Sequence, residues 1–224
     1  MSRILKLKIA DASIEGELVV PANAYGLVIF SHGSGSSRFS PRNNFVAQYL
    51  QRIQIATFLC DLLTKDEDPV YANRFNIELL SHRLVEVTGQ LAKLPETRNL
   101  SIGYFGASTG AASALVAAAT LHDQIDAVVS RGGRPDLAFN SLHLVKAPTL
   151  LIVGELDRDV LKLNNEAMTK LTSMKKLEVV KNATHLFEEA GALERVAFLS
   201  GQWFTRYLSD EKFSRPRHDL QIQG

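Results

Sequence analysis

Apolar and polar positions along this chain follow two rhythms. Short continuous apolar runs fall at residues 26–31, 56–62, 100–106, 125–130, 149–154 and 176–180. Such runs suit strands covered on both faces by helices. Between them the spacing becomes helical. Ile77, Leu80, Leu84, Val87, Leu91 and Leu94 recur every three or four residues and make one apolar stripe. Residues 109–120 are nearly all small or apolar, which predicts a helix packed closely on a sheet, and residues 192–208 predict a closing helix. The first segment differs: residues 4–9 and 14–20 read as an antiparallel hairpin, ended by Pro21. The whole predicts a single α/β domain over residues 1–210, with eight mostly parallel strands and about six helices, and a polar tail over 211–224.

Composition narrows the function. Hydrophobic residues make up 46% of the 224 and charged residues 22%, enough for a substantial core. A net charge of +1 argues against a general nucleic-acid partner. No apolar run is long enough for a membrane span, and the N-terminus lacks a secretory apolar region. A cytoplasmic location is the expectation. The single Cys60 makes no internal disulfide and excludes a Cys-rich metal site. It reads as a buried small apolar residue.

The strongest local chemistry is Gly106-Ala107-Ser108-Thr109-Gly110, a G-x-S-x-G motif. An apolar strand precedes it and a small-residue helix follows. In that context the serine sits on a sharp strand-to-helix turn above the sheet edge. The motif alone also occurs in turns without chemistry. A dinucleotide reading fails on the glycine spacing, and there is no P-loop.

A nucleophilic Ser108 needs a base and a group that orients it. Among the six histidines, His82 lies off the apolar stripe of its helix, and His122, His143 and His218 lie in polar turns, a loop and the tail. His32 follows the first parallel strand and is read as architectural. His185 remains, just after the last strand, at the same sheet edge as Ser108. The acid is expected after the strand 149–154, where Asp157 is preferred over Glu155 and Asp159. The order Ser, Asp, His is that of the α/β-hydrolases.

The turn Ser31-His32-Gly33-Ser34-Gly35-Ser36 follows the first parallel strand. It is expected to aim the backbone N–H of Ser34 at an oxyanion, with Thr109 giving the second N–H. A phosphate cradle at this turn lacks a partner lysine. Arg38, Arg42, Arg131 and Arg134 are expected in loops at the same edge. Either they recognise an anionic substrate or they brace the loops through partners such as Asp61 and Asp136.

Together GASTG, SHGSGSS, VGELDRDV and NATHLFEE resemble the α/β-hydrolase superfamily, and within it the dienelactone hydrolase family, over about residues 15–208. SRGGRPDLA and RFSPRNNFVAQYL look like a subgroup known chiefly as hydrolases, whose relatives can occur fused to a phosphoribosyltransferase domain. These 224 residues are expected to hold no such domain. The resemblance implies an eight-stranded sheet with only the second strand antiparallel, and hydrolysis of an ester-like bond. One departure matters. Authentic dienelactone hydrolases use a cysteine nucleophile, and Ser108 stands at that position. A general serine esterase carries over; dienelactone turnover does not. Residues 134–147 leave room for one short helix, so no large lid is expected. The leading expectation is a serine hydrolase of small molecules, needing no metal and no cofactor. The same machinery would serve a thioesterase, peptidase or acyltransferase, and a non-catalytic binding module is the competing class. The oligomeric state is left open.

Overall fold

A computed structural model describes residues 1–10 and 12–209. The sequence 2–19 forms the expected hairpin, β1 (Ser2–Lys8) and β2 (Ser13–Val19), with Ser2 opposite Val19 and Lys8 opposite Ser13. Six further strands follow: β3 (Gly26–Ser31), β4 (Ile55–Cys60), β5 (Ser101–Ala107), β6 (Ala127–Arg131), β7 (Thr149–Gly154) and β8 (Lys175–Val180). They join in one eight-stranded sheet of order β1-β2-β4-β3-β5-β6-β7-β8. β2 is antiparallel to both its neighbours, and β3 to β8 run parallel. The fold is that of an α/β-hydrolase, with the single reversed strand the resemblance implies.

β3 lies between β4 and β5, so the chain leaves it first to one side and then returns on the other. At such a reversal the loops following the two strands diverge and open a crevice at their carboxyl ends. The turn after β3 and the serine turn after β5 both emerge there.

Among the described residues five α-helices cover the sheet. α1 (Pro41–Arg52) and α5 (Ala192–Leu208) pack on one face; α2 (Ile77–Leu91), α3 (Thr109–Leu121) and α4 (Arg158–Lys170) pack on the other. α1 starts where Ser40 accepts a hydrogen bond from the Asn43 N–H and Pro41 supplies a preset φ. α2 starts at Asn76, which caps Leu79 N–H, and buries Leu80, Leu84, Val87 and Leu91 of the predicted stripe. His82 projects away from that stripe, its side chain 60% exposed. α3 keeps Ala111, Ala112, Ala114, Ala117 and Ala118 fully buried, so small side chains let it approach the strands closely.

Among the described residues the helix count is one lower than expected. Residues 134–147 form two 3-10 turns, Pro135–Ala138 and Leu142–Leu144, instead of a helix, and they build no lid. β6 also differs, running two residues later at its start and ending on Arg131. The cause is pairing: the Asp126 carboxylate takes the Ile102 N–H before the strand begins, and the Arg131 carbonyl takes the Ser108 N–H at its end. No helix among the described residues is long and apolar enough to cross a membrane. The expected tail over 211–224 lies outside the described residues.

Candidate active site

Ser108 is the hinge of the β5–α3 turn. Its φ is 51° and its ψ −120°, a conformation that costs a non-glycine residue appreciable strain. The flanking glycines make the turn possible. A Cβ on Gly106 would lie 2.4 Å from the Ala111 Cα, and one on Gly110 would lie 2.2 Å from the Ser31 carbonyl oxygen. The turn is tied down on both sides. Ser108 N–H donates to the Arg131 carbonyl, and the Ser108 carbonyl accepts from the N–H groups of Ala111 and Arg134, each at 3.1 Å.

His185 Nδ1–H donates to Asp157 Oδ2 at 2.6 Å. Asp157 occupies the N-cap position of α4 but makes no capping bond with its side chain, which leaves the carboxylate to the imidazole. Asp159 is exposed in the first turn of α4. Glu155 instead accepts the Asn182 N–H at 2.8 Å and steadies the loop that carries His185. That loop is strained at both ends, with φ of 56° at Asn182 and 58° at the buried Phe187. Thr184 gives both its N–H and its hydroxyl to Glu189, and this hydroxyl bond holds the Glu189 carboxyl below the usual carboxylate range.

Ser108 and His185 flank the same short segment. Arg131 holds the serine backbone, and the next residue, Gly132, lies against the imidazole. Among the described residues no hydrogen bond links the Ser108 hydroxyl to His185.

The turn after β3 packs directly on the nucleophile position: a Cβ on Gly33 would be 3.0 Å from the Ser108 Cβ. Ser34 N–H, the expected oxyanion donor, donates to the Thr109 hydroxyl at 2.8 Å. The Thr109 N–H opens α3, where no intrahelical acceptor exists for it. His32 Nδ1–H donates to the Gly33 carbonyl at 3.0 Å, and its Nε2 lies 3.6 Å from Asp61. Ser31 and Ser113 exchange a buried hydroxyl bond at 2.8 Å, which locks the turn to α3.

The four arginines have different fates. Arg38 pairs with Asp61 at 2.6 Å and with Glu15. Arg134 pairs with Asp136 through two nitrogens, at 2.8 and 2.7 Å. Arg42 is not in a loop; it belongs to the first turn of α1, where it meets Glu188 at 3.0 Å. Arg131 is not in a loop either, because it completes the β6 ladder opposite Ala107. Its side chain is buried, donates to the neutral Asn43 Oδ1 at 3.4 Å and lies over the face of Phe187.

A model of the dienelactone hydrolase family matches residues 15–197. The chain belongs to the dienelactone hydrolase family. Its domain is that of an ester-type hydrolase. It is similar to a dienelactone hydrolase from Anabaena variabilis of known structure, at 49% identity and a TM-score of 0.90, covering 93% of this chain and 98% of that one. Est1E from Butyrivibrio proteoclasticus shares the fold at 16% identity and a TM-score of 0.78, over 91% of this chain and 98% of that one. Two curated relatives, one in each of two strains of Mycobacterium tuberculosis and both named "Putative phosphoribosyl transferase", are 55% identical over 195 residues. These residues are 87% of this chain and 44% of each relative, so the chain spans less than half of their length.

Sequence reasoning missed one layer around this family's crevice. Between β4 and α2, Glu67 forms a two-nitrogen ion pair with the buried Arg83, at 2.6 and 2.7 Å, and also accepts the Thr64 N–H. The Arg83 guanidinium holds the Glu67 carboxyl at about 2. The segment so anchored carries Arg74, which is gripped by Asp68 and stands over Gly35 of the turn after β3. Arg83 sits on the apolar face of α2 between Leu80 and Leu84, and that misplaced charge was the only signal in the sequence.

Proposed function

We propose that this chain hydrolyses an ester-like bond of a small molecule with Ser108 as nucleophile, His185 as base and Asp157 as its orienting acid. The observation that carries the reading is the 2.6 Å bond from His185 Nδ1 to Asp157 at the edge where the strained Ser108 turn emerges. With Nδ1 held by the carboxylate, Nε2 is the nitrogen left to take the serine proton.

In this reading Ser108 Oγ attacks the carbonyl carbon while its proton passes to His185 Nε2. Asp157 stabilises the imidazolium. The N–H groups of Ser34 and Thr109 receive the oxyanion, Ser34 exchanging its bond to the Thr109 hydroxyl for one to substrate. His185 then protonates the departing alkoxide, which leaves an acyl group on Ser108. Water, deprotonated by His185, releases the acid and restores the serine. No step requires a metal or a cofactor. The short connection 134–147 holds only two 3-10 turns, which suits small substrates that bind without movement of a large lid there.

The test is labelling with a fluorophosphonate probe. Wild type is expected to label and Ser108→Ala to stay unlabelled. Equal labelling of both would place the nucleophile elsewhere. No labelling of folded wild type would favour a binding module.

A further inference from the structure

Arg131 is the least explained charged residue of the fold. The residue is buried, with 5% exposure. Among the described residues no carboxylate lies within ion-pair distance of it. Burial, together with the neighbouring Arg42 charge, pushes its guanidinium down to about 10, so it stays cationic at neutral pH. An isolated buried charge is costly, and folds rarely keep one without a partner.

The second charge is beside it. Arg42 lies in the first turn of α1, which holds no acidic residue, and its Nε is buried without a partner. The carboxylate it does meet, Glu188, is 64% exposed and borders solvent. A surface pair of this kind is weak and readily exchanged. Asn43, next to Arg42 on α1, is the residue that Arg131 touches. Two arginines thus meet at the start of α1, and one exposed carboxylate opposes them. The Arg131 backbone adjoins the nucleophile, since its carbonyl holds the Ser108 N–H.

We infer that Arg131 and Arg42 form a subsite for a phosphate group carried by the ester substrate. This rests on the reading of Ser108 as the nucleophile and extends it to the substrate's chemistry. Charge decides for phosphate over carboxylate. Once Glu188 is displaced, two guanidinium groups exceed what a single carboxylate neutralises. A phosphate monoester carries about −1.5 to −2 at neutral pH and offers three acceptor oxygens to forked donors. Binding displaces Glu188 from Arg42, whose side chain is 31% exposed, and adds the phosphate as the partner that Arg131 lacks. Arg38 and Arg134, already matched by their own carboxylates, take no part.

The first test needs no turnover. In full-length Ser108→Ala protein, inorganic phosphate is expected to raise the Tm and to bind measurably by calorimetry, with acetate at equal ionic strength doing neither. Arg42→Gln and Arg131→Met are expected to weaken phosphate by on the order of tenfold to a hundredfold. Without phosphate, Arg131→Met is expected to keep or raise the Tm, because it removes an unpaired buried charge. If it fails to fold, Arg42→Gln carries the test alone. The second test compares 1-acetylglycerol 3-phosphate with monoacetylglycerol as substrates of wild type. The phosphate ester is expected to be preferred by tenfold or more, and the preference to vanish in Arg42→Gln. Acetate binding as well as phosphate would overturn the inference in favour of a carboxylate site. No binding of either, or equal binding in all variants, would overturn it outright. Phosphate binding without any ester hydrolysis would uphold the subsite and refute only the proposed reaction.

Discussion

Gly132 stands against the imidazole of His185, so that a Cβ on it would lie 3.4 Å from Nδ1, the nitrogen bonded to Asp157. Its φ of +52° also sits where a side chain is strained. Gly132→Ala therefore has two ways to move the base. Left-handed backbone costs an L-residue about 1–2 kcal/mol. A tilt of the ring that relieves it should lower kcat about tenfold or more. Gly89→Ala is the control, since nothing lies within 4 Å of that position in α2. It should stabilise the fold by about 0.5–1 kcal/mol and leave kcat unchanged. Steady-state kinetics and thermal melts of the two variants distinguish site geometry from general glycine effects.

The acid can be identified by a split between rate and stability. Asp157→Asn should lower kcat by about 10³–10⁴, through the wrong imidazole tautomer and the lost negative charge. Its Tm should hardly change, because asparagine serves as well at a helix N-cap and the Asp157 side chain makes no capping bond to lose. Asp159→Asn should leave both quantities within a few-fold of wild type. Glu155→Gln should cost stability through the Asn182 loop more than rate. A kcat loss larger in Glu155→Gln than in Asp157→Asn would reassign the acid.

Acid stability should report the Glu67–Arg83 clamp. The folded carboxyl sits at about 2, below its ordinary 4.5, because Arg83 stabilises the ionised form. A depressed pKa gives stability that is complete above the unfolded value and is lost as pH falls through the folded one. The contribution should thus be full at pH 6 and fade from about pH 4.5 toward pH 2. Glu67→Gln should lower stability at pH 6 by about 1.5–3 kcal/mol, the range for hydrogen bonds to charged groups. The gap to wild type should close as pH approaches 2. A gap that is constant from pH 6 to pH 2 would show that the clamp acts by packing instead of charge.

What the sequence revealed, and what it did not, divides along physical lines. Strands and the major helices were legible because their periodicity is local, as at Leu80, Leu84, Val87 and Leu91. Ser108 was legible because a strained turn demands glycine on both sides, which leaves a mark in five consecutive residues. His185 and Asp157 could be placed at one edge because parallel strands send every following loop to the same side. The arginines were not resolved. Whether a guanidinium faces a carboxylate depends on long-range placement: Arg38, in the loop after β3, finds Glu15 on β2, while Arg131 is drawn into the ladder by Ala107. Nor could Thr109 be read as the acceptor of the Ser34 N–H, since their contact joins turns from two strands. The sixth expected helix is instead the pair of 3-10 turns in 134–147, for which the local pattern gave no signal.

Cys60 provides a last test of which atom does the chemistry. It ends β4 fully buried, and burial, reinforced by the adjacent Asp61, pushes its thiol well above the normal cysteine range. A thiol that cannot ionise is a poor nucleophile. Iodoacetamide at pH 8 should therefore leave ester hydrolysis intact over a time in which a fluorophosphonate abolishes it. Mass spectrometry should find Cys60 unmodified in native protein and fully alkylated in guanidinium. The alkylation rate in mild denaturant should then track global unfolding, because β4 is an interior strand between β2 and β3. Inactivation by iodoacetamide of folded protein would contradict the assignment to Ser108. It would show that β4 opens locally and that the buried thiol, not the strained serine, reaches the substrate.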